Sequence, residues 1–185
     1  GEITYSVREY YTTNTMPTHS SVNHRYAVAT FASGCFWCTE AVFKRLRGVQ
    51  KVVSGYTGGQ SEHPNFESLH LSDTGHAEAV RVEYDPEQIS YETLVEVFFG
   101  THDPTTLNRQ GNDVGKEYRS VIFYHTDEQH QIATKILGQL ASGHTFDSPI
   151  VTTIEPAESF FPAEVEHQNY YDENPTRPYC QVVID

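Results

Sequence analysis

The order of its hydrophobic segments constrains the fold of this chain more than any other feature. A β-prone run at 26–31 precedes a segment at about 35–47 whose apolar residues recur at helical spacing, and Gly48 ends that segment. Residues 49–59 and 77–84 then have the composition of two further strands. The first half of the chain therefore predicts the order strand, helix, strand, strand.

Two further helices and a fourth strand extend this order. Ser90 is placed to cap a helix with an apolar face, and Thr126 with Gln129 forms a capping box for another helix. Between them, the segment RSVIFY at 119–124 predicts the fourth strand. The complete order is that of a split βαβ unit, so we predict an α+β fold, a two-layer sandwich with a ferredoxin-like split βαβ core.

The chain has the length of one ordinary domain, because 185 residues bury a sufficient core without disulfides or metals. We predict an N-terminal arm at 1–25, where Ser, Thr and Asn cluster without periodicity, and a single domain at 26–185. The last part of that domain, 155–185, is rich in proline, acidic and aromatic residues. It predicts a long C-terminal tail that wraps the body.

Charge and hydropathy exclude several classes of partner. The formal net charge of -13 repels phosphate backbones and anionic lipids, so we expect no nucleic acid partner. No apolar run is long enough to cross a bilayer and no signal-peptide pattern is present, so we expect no membrane association. We expect a cytoplasmic monomer, or an organellar protein if a leader has been removed before Gly1.

The cysteines indicate chemistry rather than scaffolding, because three are too few and too odd in number for a disulfide framework. Cys35 falls at a predicted helix N-terminus, where the helix dipole and free amides are expected to lower its pKa and make it a nucleophile. Cys35 and Cys38 have the C-x-x-C spacing of dithiol redox motifs. Half of a zinc site is the alternative, but no second close cysteine pair is present.

The residues after Cys35 and two polar stretches predict a binding site. Phe36 and Trp37 offer apolar walls for a soft group such as a thioether methyl, although core packing would also explain them. The segments 74–80 and 102–120 are polar among hydrophobic elements, and such loops usually build sites. His102 is interpreted as a structural histidine and is left out of catalysis.

The motifs G-C-F-W, G-Y-x-G-G, T-G-H-A-E, H-D-P-T, N-R-Q-G-N-D and Y-R-S occur in this order, followed by A-E-x-x-H-Q-x-Y at 163–170. Over about 26–182 the chain resembles the A-type peptide methionine sulfoxide reductases. The resemblance implies an enzyme that reduces the S epimer of methionine sulfoxide, in oxidised proteins or peptides and as the free amino acid, through a Cys35 sulfenic acid. It implies an external dithiol reductant, thioredoxin, and no bound cofactor or metal.

The resemblance also implies roles for three polar residues. Glu78 matches the glutamate of the H-A-E motif, and a carboxyl flanked by apolar strand residues is expected to stay protonated near neutrality. Tyr118 matches the tyrosine that hydrogen-bonds the sulfoxide oxygen, and Asp113 matches the aspartate that helps orient the site. Phe66 stands where the family commonly has a second site tyrosine, so one expected hydroxyl is missing and Phe66 joins the predicted substrate-binding residues.

Recycling departs from the family's usual pattern. Cys180 matches the first tail cysteine, but the usual distal tail cysteine is absent and Cys38 stands where many relatives have glycine. One hypothesis is that Cys180 forms the first disulfide with Cys35 and then exchanges with Cys38. The other is that Cys38 resolves Cys35 directly, which one helical turn between them makes geometrically difficult. We prefer the tail-first route, and the sequence leaves both open.

Two alternatives come from other classes. A general thiol-disulfide oxidoreductase would also use C-x-x-C at a helix start, but such domains have the tryptophan before the first cysteine, whereas Trp37 lies between the two. A non-catalytic module that binds methionine-like side chains is the other alternative. An unreactive Cys35 in an alkylation experiment would favour it.

Overall fold

The computed structural model describes residues 26–71 and 73–174. The predicted arm at 1–25 and Cys180 lie outside the described residues. No helix in the described ranges combines the length and hydropathy needed to span a bilayer. The elements follow in chain order: β1 (Ala27–Ser33), α1 (Phe36–Lys44), β2 (Val49–Thr57), α2 (Phe66–Leu71), β3 (Ala77–Tyr84), α3 (Tyr91–Gly100), β4 (Arg109–Gln110), β5 (Asp113–Val114), β6 (Ser120–Tyr124), α4 (Asp127–Ser142), β7 (Thr153–Pro156), β8 (Phe161–Pro162) and α5 (Tyr170–Glu173).

Six strands form the main sheet, in the order β7-β6-β1-β3-β2-β8. Its inner four, β6-β1-β3-β2, pair antiparallel throughout, which is the strand order of a split βαβ unit. The predicted ferredoxin-like core is therefore confirmed. Two later strands extend the sheet: β7 pairs parallel with β6, and β8 pairs antiparallel with β2.

The predicted helix caps are present. The Ser90 hydroxyl accepts a hydrogen bond from the Thr93 N–H at 3.1 Å, and the Thr126 hydroxyl accepts one from the Gln129 N–H at 3.2 Å. The Gln129 side chain in turn accepts from the N–H of His125 at 2.9 Å. The two bonds to the hydroxyl groups satisfy amide donors that the first turn of a helix leaves unpaired.

The main core lies between the sheet and its helices. Phe31 of β1 stacks against Phe43 of α1 at 5.0 Å and against Phe98 of α3 at 5.4 Å between ring centroids, and all three rings are fully buried. A smaller cluster of alanine and valine side chains with Phe123 lies apart from this core, and Ala157 and Phe160 pack against it. Because β1 and α1 both belong to the main core, the turn between them is held firmly in place.

The tail wraps the body as predicted, as far as residue 174. Gln168 brackets Ser54 of β2: its side-chain oxygen accepts from the Ser54 N–H at 3.0 Å, and its amide nitrogen donates to the Ser54 carbonyl at 2.8 Å. The Asn169 N–H donates to the buried Glu40 carboxylate at 2.8 Å. These bonds pair buried polar groups that would otherwise destabilise the fold. The A-E-x-x-H-Q-x-Y motif therefore has a structural function, because its residues hold the C-terminal tail against the body of the domain.

Candidate active site

Cys35 is the N-cap residue of α1 and follows directly after β1 and Gly34. Gly34 has φ +95°, and a Cβ there would lie 2.7 Å from the Gln110 side chain, so a glycine is needed at this turn. The Cys35 carbonyl accepts from the N–H groups of Cys38 and Thr39, each at 3.2 Å. The sulfur is thereby fixed at the first turn of α1, where the sequence predicted a nucleophile.

The predicted lowering of the Cys35 pKa is wrong. Burial raises the pKa of this thiol well above its ordinary value, and the negative charge of Glu78 raises it further. The N–H groups of Trp37 and Cys38 act in the predicted direction but are outweighed. The cost of desolvating a thiolate exceeds the stabilisation that these N–H groups provide, so the environment of Cys35 favours the thiol over the thiolate.

Glu78 is the glutamate of the H-A-E motif, which we expected to be buried and protonated. It lies on β3, is 1% exposed, and accepts a hydrogen bond from the N–H of Phe36 at 3.2 Å. Burial raises the pKa of Glu78 to about 8, although the Phe36 N–H opposes this; the charges of Asp113 and Glu117 raise it further. Glu78 is therefore mostly protonated at neutral pH, in agreement with the expectation from its apolar neighbours.

Asp113 and Tyr118 lie in the electrostatic field of the same site. Asp113 belongs to β5, and Tyr118 ends a short 3-10 helix that follows. Burial raises the pKa of Tyr118 far above its ordinary value, and the charges of Glu78, Asp113 and Cys35 add to the effect. The phenol is thus held as a hydrogen-bond donor. The structure brings together all four of the predicted catalytic side chains.

An aromatic wall adjoins Cys35. The buried Phe36 ring stacks with Phe66 at 6.5 Å, and Trp37 stacks with Phe66 at 6.1 Å. The tail supports the wall, because Trp37 donates its indole N–H to His167 at 3.1 Å and stacks on Tyr170 at 3.8 Å. The three predicted substrate-binding residues therefore pack together, with Trp37 and Phe66 partly exposed and Phe36 fully buried.

Two further residues that fix this wall were not predicted. The Tyr56 hydroxyl donates to one oxygen of Glu164 at 2.9 Å, and the other oxygen accepts from the N–H of Phe66 at 3.1 Å. Glu164 therefore ties the first turn of α2 to β2. Glu164 belongs to the A-E-x-x-H-Q-x-Y motif, but the sequence alone did not indicate which residues this motif would contact.

His70 was also missed by sequence reasoning. It lies one helical turn after Phe66, and its two ring nitrogens are 3.7 Å from Glu78 Oε2 and 3.5 Å from Glu117 Oε1. The only sequence feature that could have indicated its position is the i, i+4 spacing from Phe66. The two rings meet edge-on, with their centroids 4.4 Å apart.

The two described cysteines differ in state. Cys38 is disulfide-bonded and 4% exposed, whereas Cys35 is a free thiol. Cys180, the predicted resolving residue of the tail, lies outside the described residues, so its role stays a prediction. Cys35 and Cys38 both line a cavity of about 30 Å³, which is large enough for one water molecule.

His102 is structural, as interpreted from the sequence. Its Nδ1 lies 2.6 Å from the carbonyl of Phe98 and its Nε2 lies 2.8 Å from the hydroxyl of Ser120. Burial lowers the pKa of His102 to about 4. A neutral ring with both nitrogens occupied has no free position for catalysis.

With one cysteine free and its C-x-x-C partner already oxidised, the site is that of a cysteine-dependent oxidoreductase on a split βαβ sheet. The sequence profile of the peptide methionine sulfoxide reductase family matches residues 27–185, so the chain belongs to this family. The predicted family, fold class and methionine sulfoxide reductase activity are thereby confirmed.

Individual relatives agree over most of the chain. A peptide methionine sulfoxide reductase of Deinococcus radiodurans is 58% identical over 156 residues, which are 84% of this chain and 76% of that protein. The reduced form of Mxr1 from Saccharomyces cerevisiae superposes with a TM-score of 0.79 at 34% identity, covering 85% of this chain and 91% of that one. The same yeast protein in complex with Trx2 gives a TM-score of 0.56 at 26% identity, covering 82% and 91%.

Proposed function

We propose that Cys35 reduces methionine S-sulfoxide with Glu78 as the acid that protonates the departing oxygen. One observation carries this proposal. The Glu78 carboxyl, which is 1% exposed and has a pKa of about 8, accepts a hydrogen bond from the N–H of Phe36, the residue that follows Cys35. Sulfoxide oxygen is a poor leaving group until it is protonated or strongly hydrogen-bonded. A neutral acid fixed beside the nucleophile supplies that proton.

The oxygen transfer balances within the site. The Cys35 sulfur attacks the sulfoxide sulfur, and Glu78 protonates the oxygen. The oxygen is transferred to the Cys35 sulfur, which becomes a sulfenic acid, and the thioether is released. The thiol proton replaces the one that Glu78 has given up, so one thiol and one sulfoxide yield one sulfenic acid and one thioether. Tyr118 donates a hydrogen bond to the oxygen, and Asp113 orients the site.

The aromatic wall defines the substrate class. Trp37 and Phe66 present partly exposed, stacked rings that favour a thioether methyl group over a polar side chain, and the buried Phe36 packs against Phe66. The proposal includes peptides, oxidised proteins and the free amino acid as substrates, because an apolar wall recognises the methionine side chain that all three share. The proposal also takes the enzyme to act as a monomer.

Recycling follows the tail-first route in this proposal. Cys180 attacks the Cys35 sulfenic acid and releases water, and Cys38 then displaces Cys35 from the mixed disulfide. The observed combination of a free Cys35 with a disulfide-bonded Cys38 is the state expected after that exchange. An external dithiol then reduces the Cys38 disulfide. The complex of yeast Mxr1 with Trx2 supports thioredoxin as that dithiol.

Disulfide mapping after one turnover tests this route. The reduced wild-type protein is mixed with one equivalent of a methionine sulfoxide peptide without reductant, alkylated and analysed by mass spectrometry. We expect a Cys38–Cys180 disulfide with an alkylated Cys35, and a trapped Cys35–Cys180 disulfide in a Cys38→Ser variant. A Cys35–Cys38 disulfide as the sole product would contradict the tail-first route.

Restoring the missing hydroxyl tests the substitution at position 66. We expect Phe66→Tyr to form methionine faster in a single turnover, by at most about tenfold, because one more hydrogen bond to the oxygen contributes about 1 kcal/mol. Phe160→Tyr, on the opposite face of the sheet, is the matched control and leaves the rate unchanged. An unaltered rate for Phe66→Tyr would mean that Glu78 and Tyr118 already satisfy the oxygen.

A further inference from the structure

The C-terminal tail and the substrate site share one face of α1. Trp37, Glu40 and Lys44 are spaced three and four residues apart on this helix, so they lie on a common face. The Glu40 carboxylate accepts a hydrogen bond from the N–H of Asn169 at 2.8 Å. Lys44 forms an ion pair with Asp172 at 2.7 Å. The helix face that holds the tail therefore also carries Trp37 of the aromatic wall.

Trp37 is itself held by the tail at two points. Its indole N–H donates to Nδ1 of His167 at 3.1 Å. Its ring stacks on Tyr170, with the centroids 3.8 Å apart and the planes 12° apart. The hydrogen bond restrains one edge of the indole, whereas the stacked ring restrains its plane. Because the orientation of the partly exposed Trp37 decides what can pack on it, the tail controls this part of the wall.

We propose that Tyr170 is a positioning residue for the methionine side chain, and that tail docking and substrate binding stabilise each other through Trp37. The inference rests on the proposed function, in which Trp37 and Phe66 bind that side chain. Tyr170 acts through Trp37, because a ring that is already ordered loses less conformational freedom when substrate binds. The coupling between two binding events is reciprocal, so a methionine side chain packed on Trp37 also favours the docked tail.

The other anchors of the tail do not involve Tyr170. Gln168 makes two hydrogen bonds with the backbone of Ser54, at 2.8 and 3.0 Å, and Asp172 forms two ion pairs with side chains of α1 and of the residue that follows it. Substituting Tyr170 is therefore expected to loosen Trp37 while the tail stays in place. Its effect can be separated from a general loss of the tail.

Three variants test the positioning role. Tyr170→Leu removes the stacked ring, whereas Tyr170→Phe keeps it. Tyr171→Leu is the matched control, the same change at the next residue, whose ring lies 5.0 Å from the guanidinium of Arg45. Single-turnover methionine formation without reductant, measured against peptide concentration, gives the half-saturating concentration and the limiting rate independently of recycling. Trp37 is the one tryptophan of the sequence, so its fluorescence reports on the wall directly.

We expect Tyr170→Leu to raise the half-saturating concentration about threefold to tenfold, because a stacked aromatic pair contributes on this scale. The limiting rate stays within about twofold of wild type, since the reacting groups are unchanged. The Trp37 emission shifts to longer wavelength in the same variant. Tyr170→Phe and Tyr171→Leu match wild type in all three measurements. An unchanged half-saturating concentration in Tyr170→Leu, or an equal rise in Tyr171→Leu, would overturn the positioning role.

Hydrogen exchange tests the coupling without altering the wall. In Cys35→Ser, which binds a methionine sulfoxide peptide without converting it, we expect saturating peptide to slow amide exchange in α5 and at Asn169. The same peptide with alanine in place of methionine sulfoxide is the control. Exchange that is unaffected by the sulfoxide peptide would overturn the coupling. If wild type forms no methionine in a single turnover, the proposed function fails as well, whereas a normal wild-type rate confines the failure to this inference.

Discussion

Replacing Cys35 by serine lowers the single-turnover rate of methionine formation by about 10⁴-fold or more. A serine hydroxyl ionises far less readily than a thiol, and its oxygen cannot take the sulfoxide oxygen to give a sulfenic acid. The measurement is quench-flow analysis of methionine released from an oxidised peptide without reductant. Cys38→Ser is the matched control, because it lies in the same helix and is expected to release the first equivalent of methionine but to recycle poorly.

Methionine release by Cys35→Ser at a rate near that of wild type would contradict the assignment of the nucleophile. Release of less than one equivalent by Cys38→Ser would place Cys38 in the oxygen-transfer step itself. These two results are independent, because only the second concerns the C-x-x-C partner.

Glu78→Gln lowers the same rate by about 10²-fold to 10³-fold, because the amide hydrogen-bonds the oxygen but cannot protonate it. The wild-type rate also depends on pH through this group. The protonated form is the active one and its pKa is about 8, so the rate is full below that pH and falls as the pH rises through it. This alkaline limb disappears in Glu78→Gln. Glu83→Gln on the same strand is the control and retains both the rate and the limb.

The same carboxyl affects stability with a defined sign. The pKa of Glu78 is higher in the folded protein than in the unfolded chain. Its contribution to the free energy of unfolding is therefore fully present below the pKa that Glu78 has in the unfolded chain, and it is lost as the pH rises through about 8. Glu78→Gln removes a group that ionises while buried, so the variant gains stability relative to wild type in alkaline solution. A variant that is both slower and less stable at alkaline pH would indicate lost packing rather than a lost acid.

Most of the fold could be predicted from local sequence patterns. The caps at Ser90 and Thr126, the helix start at Cys35 and the alternation of β3 depend on residues close together in sequence, and each was predictable. The parallel pairing of β7 with β6 was not predicted, because short strands of four residues give little periodicity.

The candidate site was harder to predict where it depends on distant contacts. The pKa of Cys35 was predicted in the wrong direction, since the sequence reveals the helix start but not how deeply the thiol is buried or how close Glu78 lies. Glu164 and His70 were missed for a related reason. Glu164 acts on residues 98 and 108 positions away, and the position of His70 beside Glu78 depends on how α2 packs against the sheet.

Turnover of the separated S and R epimers of a methionine sulfoxide peptide tests both the proposed reaction and the assignment of Cys35 as the nucleophile. Dithiothreitol serves as the reductant, and Cys35→Ser is measured in parallel. We expect methionine from the S epimer alone, with no turnover of either epimer by the variant. Turnover of the R epimer, or of the S epimer by Cys35→Ser, would contradict it.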